Sequence, residues 1–230
     1  VTVKTYALAS FGVFATLWAV DRGFHSRRLV WFLVAGLASA LVVSVRLLYL
    51  PWAGSLFAAL VWIRWRHPGV GLSQASVAAA GVGFLLGIVP AFRLYLVDPA
   101  RFRFNNLEYH SLRFSPLDGA GSTAVTHLVA ALQELGRALL LNPFMFVLIV
   151  LAVLGWLAVR RSRENPDSDL RPVALVAGLG AVVHTAACLV PDPVHTQYFT
   201  SPLAPMLAPL MVLGVVDLAR RLGRPTTLIV

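Results

Sequence analysis

Long apolar runs, separated by short polar turns, make up most of the chain. Seven can be drawn: A over 6–20, B over 29–45, C over 52–63, D over 73–96, E over 142–159, F over 172–190 and G over 203–218. Residues 226–230 look like the opening of an eighth. A membrane-crossing helix takes about 20 apolar residues, so most of these runs are of span length and C is short. One stretch has a different pattern. Over 122–139, Val125, Leu128, Val129, Leu132 and Leu135 recur at helical spacing, with His127, Gln133, Glu134 and Arg137 off that stripe. Ser122 or Thr123 can cap it. This is the pattern of an amphipathic helix lying flat on a membrane face. The predicted fold is therefore all-α. It is a single polytopic transmembrane bundle over 1–230 with about seven spans, and an outer loop and juxtamembrane helix fill 97–141.

Composition agrees. The 230 residues are 58% hydrophobic and 13% charged, against about 45–50% and 25% for a soluble domain. A soluble domain, a disordered tail and a disulfide scaffold are all excluded. Nineteen basic residues face ten acidic ones, net +9. Such a balance suggests nucleic acid only where the basic residues share one solvated face. Here they sit in the turns, so nucleic acid is not an expected partner. Arg22, Arg27 and Arg28, then Arg64 and Arg66, then Arg160, Arg161, Arg163 and Arg171, then Arg220, Arg221 and Arg224 all fall on one side if A to G alternate. The positive-inside rule makes that side cytoplasmic and puts the N-terminus outside. Cys188 is the one cysteine, so neither an intrachain disulfide nor a cysteine-based metal site is expected. The chain opens on Val1 and ends inside an apolar run, which reads as part of a longer protein.

The outer side collects the polar residues that orientation does not need. Arg46 stands between B and C, ahead of Pro51, which can open a helix. It is either an interfacial side chain that snorkels or a cation facing a lipid-linked phosphate. Between 97 and 121, Arg101, Arg103, Asn105, Asn106, Glu108, Tyr109, His110 and Arg113 alternate with Phe102, Phe104 and Phe114. Arginine binds phosphate oxygens in pairs, and Asn, Tyr and His bind sugar hydroxyls or phosphate. A purely interfacial loop explains the phenylalanines better than the amides and the Tyr-His pair. The 191–202 loop adds Asp192, His195, Gln197 and Tyr198, with Pro205 and Pro209 following in G. Pro209 is expected to bend the outer end of G around a cavity. His184 lies near the middle of F, with Cys188 one turn on. It reads as a hydrogen-bonded core histidine or as a functional group. Gly83-x-x-x-Gly87 in D permits a close helix contact. No span carries several acids, which disfavours a cation pump or proton relay, and neither a glycine-rich phosphate loop nor a His-Glu-x-x-His motif occurs.

Three stretches carry a family resemblance. They are Gly36-Leu-Ala-Ser-Ala-Leu-Val-Val-Ser-Val-Arg46-Leu-Leu-Tyr-Leu-Pro51 with its closing Arg64-Trp-Arg66, Phe104-Asn-Asn-Leu-Glu-Tyr109-His110-Ser-Leu-Arg113, and His195-Thr-Gln-Tyr198-Phe-Thr-Ser-Pro202-Leu-Ala-Pro205. With the helix at 122–139, they resemble the middle and C-terminal part of GT-C type glycosyltransferases. These are integral-membrane enzymes that use polyprenyl-phosphate sugars, such as protein mannosyltransferases and lipid A aminoarabinose transferases. The resemblance spans about residues 30–218. It implies transfer of a sugar from a polyprenyl-phosphate donor to an acceptor glycan, lipid or protein. The site would lie on the extracytoplasmic side of a bacterial cytoplasmic (inner) membrane. The family's catalytic acids lie in a first outer loop that would precede Val1, so no catalytic residue is assigned here. Arg46, Arg103 and Arg113, with Arg101 behind, would face the donor phosphate among membrane lipids. Asn106, Tyr109, His110, His195, Gln197 and Tyr198 would contact headgroup or sugar. Glu108 and Asp192 would position a sugar or a divalent metal; no metal ligand set and no other cofactor is assigned. A multi-span transporter, flippase or polysaccharide polymerase subunit, and a non-catalytic assembly protein, remain the other readings of the same residues.

Overall fold

The computed structural model describes residues 5–67, 70–104, 124–140, 142–161, 171–189 and 196–222. Among them every regular element is helical. The α-helices are α1 (Thr5–Ser26), α2 (Leu29–Val45), α3 (Leu50–Arg66), α4 (Gln74–Val97), α5 (Pro99–Arg103), α6 (Ala124–Leu140), α7 (Pro143–Arg161), α8 (Arg171–Cys188) and α9 (Thr196–Arg221). A single 3₁₀ turn, Leu47–Tyr49, joins α2 to α3. Two stretches are long and apolar enough to cross a membrane: Leu47–Arg66, of 20 residues, and Gln74–Val97, of 24.

The first of these corrects the short run C. The 3₁₀ turn and Pro51, in the first turn of α3, add helix ahead of Trp52. Beyond Ile63 the helix runs on through Arg64-Trp-Arg66. Apolar run length undercounts a helix whose ends are polar. Similarly, α9 begins at Thr196, so the backbone of Gln197 and Tyr198 is helical rather than loop, and it continues through Pro205 and Pro209 to Arg221. Those two prolines line a cavity of about 280 Å³ against Trp18 and Asp21 of α1. Arg101 and Arg103 also leave the predicted loop. They belong to α5, whose start is capped by Asp98 Oδ1 accepting the Arg101 N–H at 2.9 Å.

Helix directions follow from contacts. Gly23 of α1 faces Phe32 of α2, and Gly12 faces Val42, so these two run antiparallel. Gly83 of α4 faces Leu33 of α2 and Gly87 faces Leu37 and Ala40, so α2 and α4 run in the same direction. Tyr49 meets His184 and Trp52 meets Gly180, so α3 and α8 are antiparallel. Two turns meet at one end of the bundle. The Arg27 guanidinium packs on Gly71, and Arg64 Nη1 donates to the Leu72 carbonyl at 3.3 Å. Arg27 itself closes α1 with a left-handed φ of 54°, its N–H bonded to the Gly23 carbonyl at 2.9 Å.

The tightest packing is between backbones. A Cβ on Gly36 would strike the Ala80 carbonyl, and one on Gly83 the Leu33 carbonyl. The same arrangement recurs between α7 and α9, where Gly155 lies on the Leu210 carbonyl and Gly214 on the Leu151 carbonyl. Buried hydroxyls are satisfied within their own helices: Thr16 donates to the Gly12 carbonyl at 2.8 Å, Ser39 to Gly36 at 2.8 Å and Ser55 to Trp52 at 2.6 Å. The outer faces stay apolar, with Phe11, Leu85, Leu94 and Val97 among the exposed side chains.

Gly36→Val is expected to destabilise the fold by about 3 kcal/mol or more, because the opposing atoms are backbone and cannot step aside. Gly81→Ala, with open space around it on α4, should leave stability unchanged or raise it slightly. Thermal unfolding of the detergent-solubilised protein checks both.

Candidate functional site

Arg46 ends α2 because its backbone turns extended, φ −157° and ψ 128°. Its N–H still donates to the Val42 carbonyl at 3.3 Å, and its own carbonyl accepts the Tyr49 N–H at 3.1 Å. The cation is thereby placed on a short break between two helices and is half-buried there. Three residues on, Tyr49 is fully buried. Its ring stacks on the His184 imidazole with centroids 5.3 Å apart and planes at 26°. His184 is also fully buried, and its Nε2 lies 3.5 Å from Cys188 Sγ, one turn along α8. Around Cys188 pack Leu48 of the 3₁₀ turn, Leu135 of α6 and Leu189. The break after Arg46, the last turn of α8 and the amphipathic helix thus meet at one end of the bundle. Below them Trp52 is buried against Gly180.

The His184 imidazole is thus buried and stacked on the tyrosine of the 3₁₀ turn that follows Arg46. Tyr49 was not singled out from the sequence. Its signal was the spacing Arg46-Leu-Leu-Tyr49 just before Pro51, which puts an aromatic one tight turn beyond the cation.

Arg103 sits elsewhere on the described surface. It is exposed on α5, which packs back on α4 through Phe102 and Tyr95, with centroids 5.6 Å apart at 76°. Tyr49 and Leu48, in the turn that follows Arg46, contact α8, whereas the Arg103 helix contacts α4. Asn106, Glu108, Tyr109, His110, Arg113, Asp192 and His195 lie outside the described residues, and so do the side chains of Gln197 and Tyr198. Among the described residues no group of three or more His, Cys, Asp or Glu side chains converges to hold a metal ion. The amphipathic helix forms as the stripe predicts, running Ala124–Leu140. Leu128, Val129 and Leu132 are exposed along it, while Ala131 is buried.

A second feature lies deeper. A cavity of about 660 Å³ opens between α3, α7, α8 and α9, lined by Trp62, Trp156, Val182 and Leu207 among other apolar residues. Its lining has no charged group, so it can receive hydrocarbon but cannot do polar chemistry.

Because Cys188 is fully buried, a membrane-impermeant maleimide should leave it unlabelled in the native protein and label it after denaturation in SDS. His184→Ala removes its neighbour and should make labelling measurable without SDS. Quantitative thiol labelling reads both. Comparison of the chain with protein-family models, curated proteins and solved structures finds no match.

Proposed function

We propose that the chain is the middle and C-terminal part of a GT-C type membrane glycosyltransferase, moving a sugar from a polyprenyl-phosphate donor to an acceptor at the extracytoplasmic face. In this reading about seven helices cross the membrane. The end carrying Arg27 and Arg64 is cytoplasmic, and the end carrying Arg46 is extracytoplasmic. The alternating directions of α1 to α4 and the meeting of two arginine-bearing turns support that topology.

One observation carries the functional reading. Arg46 is a half-buried cation on an extended break between apolar helices, and its turn is held by buried Tyr49 on His184. An ionisable side chain among apolar helices is a functional candidate by default. In the reaction, a general base takes the proton of an acceptor hydroxyl, whose oxygen attacks the anomeric carbon of the donor. The bond from that carbon to the phosphate oxygen breaks with inversion, and the electron pair leaves with the polyprenyl phosphate. In this reading the Arg46 guanidinium, a planar donor fork, meets the charge that develops on that oxygen. Arg103 and Arg113 serve the remaining phosphate oxygens. Asn106, Tyr109, His110, His195, Gln197 and Tyr198 hold headgroup or sugar. No residue of this chain is assigned as that base.

Arg46→Ala in the whole enzyme should lower transfer from a polyprenyl-phosphate sugar by about 100-fold, the usual cost of one donor to a developing oxyanion, with membrane insertion unchanged. Arg103→Ala and Tyr198→Ala should each lower it less. Normal turnover in Arg46→Ala removes this arginine from the reaction. Topology has its own check. In a Cys188→Ala background, Ser26→Cys and His67→Cys should be labelled from the cytoplasmic side, and Ala100→Cys from the other. Labelling of all three from one side contradicts the spans.

A further inference from the structure

We propose that the cytoplasmic end of the groove between α3 and α4 binds one anionic phospholipid of the inner leaflet. The proposal rests on the span topology above and is independent of the transfer reaction. The two helices are neighbours in sequence but lie on different partners: α4 packs along α2, and α3 packs on α8. Between them remains a groove of about 780 Å³, lined by Val61, Arg64, Trp65, Gln74, Val77 and Ala78. A volume of that size is in the usual range for a small-molecule site, about 300–1,000 Å³.

Its chemistry is graded along its length. Val61, Val77 and Ala78 form an apolar wall, and Val61 is 55% exposed, open to acyl chains. At the inner end Arg64 is half-buried and anchored by one hydrogen bond to the Leu72 carbonyl. A guanidinium has five donors, so most of its fork is left for an oxyanion. Arg66 lies over the Trp65 ring at 4.8 Å, which holds a second cation beside the groove. Arg27 packs on Gly71 in the same turn and adds a third. Trp65 itself is 74% exposed, an interfacial aromatic at headgroup level. Between Asp21 and Asp98 the sequence contains no acidic residue, so α2, α3, α4 and their turns bring only positive charge here. Arg64 in the lining, with Arg66 on Trp65 and Arg27 on Gly71 beside it, calls for a phosphate. The apolar wall below them calls for a phosphate that carries hydrocarbon, and Gln74 can bond a headgroup hydroxyl or ester oxygen. A soluble anion would leave that wall unused.

The test is native mass spectrometry of the whole protein in neutral detergent, offered equal phosphatidylglycerol and phosphatidylcholine with identical chains. One phosphatidylglycerol should be retained in preference. Arg64→Gln and Arg66→Gln should each cut that preference about fivefold, the worth of one cation near an anionic surface. Arg64→Gln also loses the bond to Leu72, so Ala78→Trp provides a second route. It fills the groove, and it should abolish retention while leaving thermal unfolding in lipid-free detergent unchanged. Equal retention of the two lipids, preference unchanged in Arg66→Gln and Ala78→Trp, or displacement by millimolar inorganic phosphate overturns the proposal. Extraction of membranes with alkaline carbonate separates its failure from that of the topology. A protein released into the wash contradicts the spans themselves, whereas one that stays in the pellet without lipid preference contradicts only this site.

Discussion

The backbones of α2 and α4 touch, and the rest of the bundle is arranged around that contact. Gly36, Gly83 and Gly87 let one helix rest on the carbonyls of the other. Small residues let helix backbones approach closely enough for extensive van der Waals packing. The contact sets α2 parallel to α4 and leaves its other side to α1, where Val42 packs on Gly12. Gly155 and Gly214 repeat the device between α7 and α9. The fold is thus two close-packed pairs, joined where α3 lies on α8 and α9 on α1.

The join between these halves is also where the polar residues of interest are. Tyr49 comes from the first half and His184 from the second, and their rings stack with no exposure to solvent. A movement between the halves would shear that stack and shift the turn carrying Arg46. The position of the cation is consequently a property of the whole bundle. The opposite end has a different character. There the arginines pack on turns and on tryptophan. One arginine is partly withdrawn at a backbone break, and another, Arg64, lines the groove between α3 and α4.

Much of the helix inventory could be read from the chain. Apolar run length found α1, α2, α4, α7 and α8 to within a few residues at most ends, and the stripe of Val and Leu found α6. The errors share a cause. Run length counts side-chain polarity, whereas helices are built from backbone hydrogen bonds that tolerate Arg64, Arg66, Gln197 and Tyr198 equally well. So the apolar run falls short of α3, and the polar start of α9 reads as loop. α5 was missed because its cap, Asp98, follows directly on the end of α4. The candidate site was legible only as a set of residue types. Arg46 was found because a cation in apolar surroundings is conspicuous. Tyr49 was not, because a tyrosine at the edge of a span is unremarkable until its ring is seen to be buried.

By itself, the sequence determined that the protein is helical, which stretches are helices, and that most of its arginines lie between the apolar runs. These follow from local quantities: apolar run length, spacing and charge. Tertiary structure decided which helices are partners, that α2 and α4 meet through glycine, and that His184 belongs with Tyr49 and not with solvent. It also decided that α3 and α4, adjacent in the chain, part to leave a groove. Such choices depend on which surfaces fit at atomic distance, and in a chain that is apolar on nearly every face the pattern of apolar residues does not distinguish one surface from another.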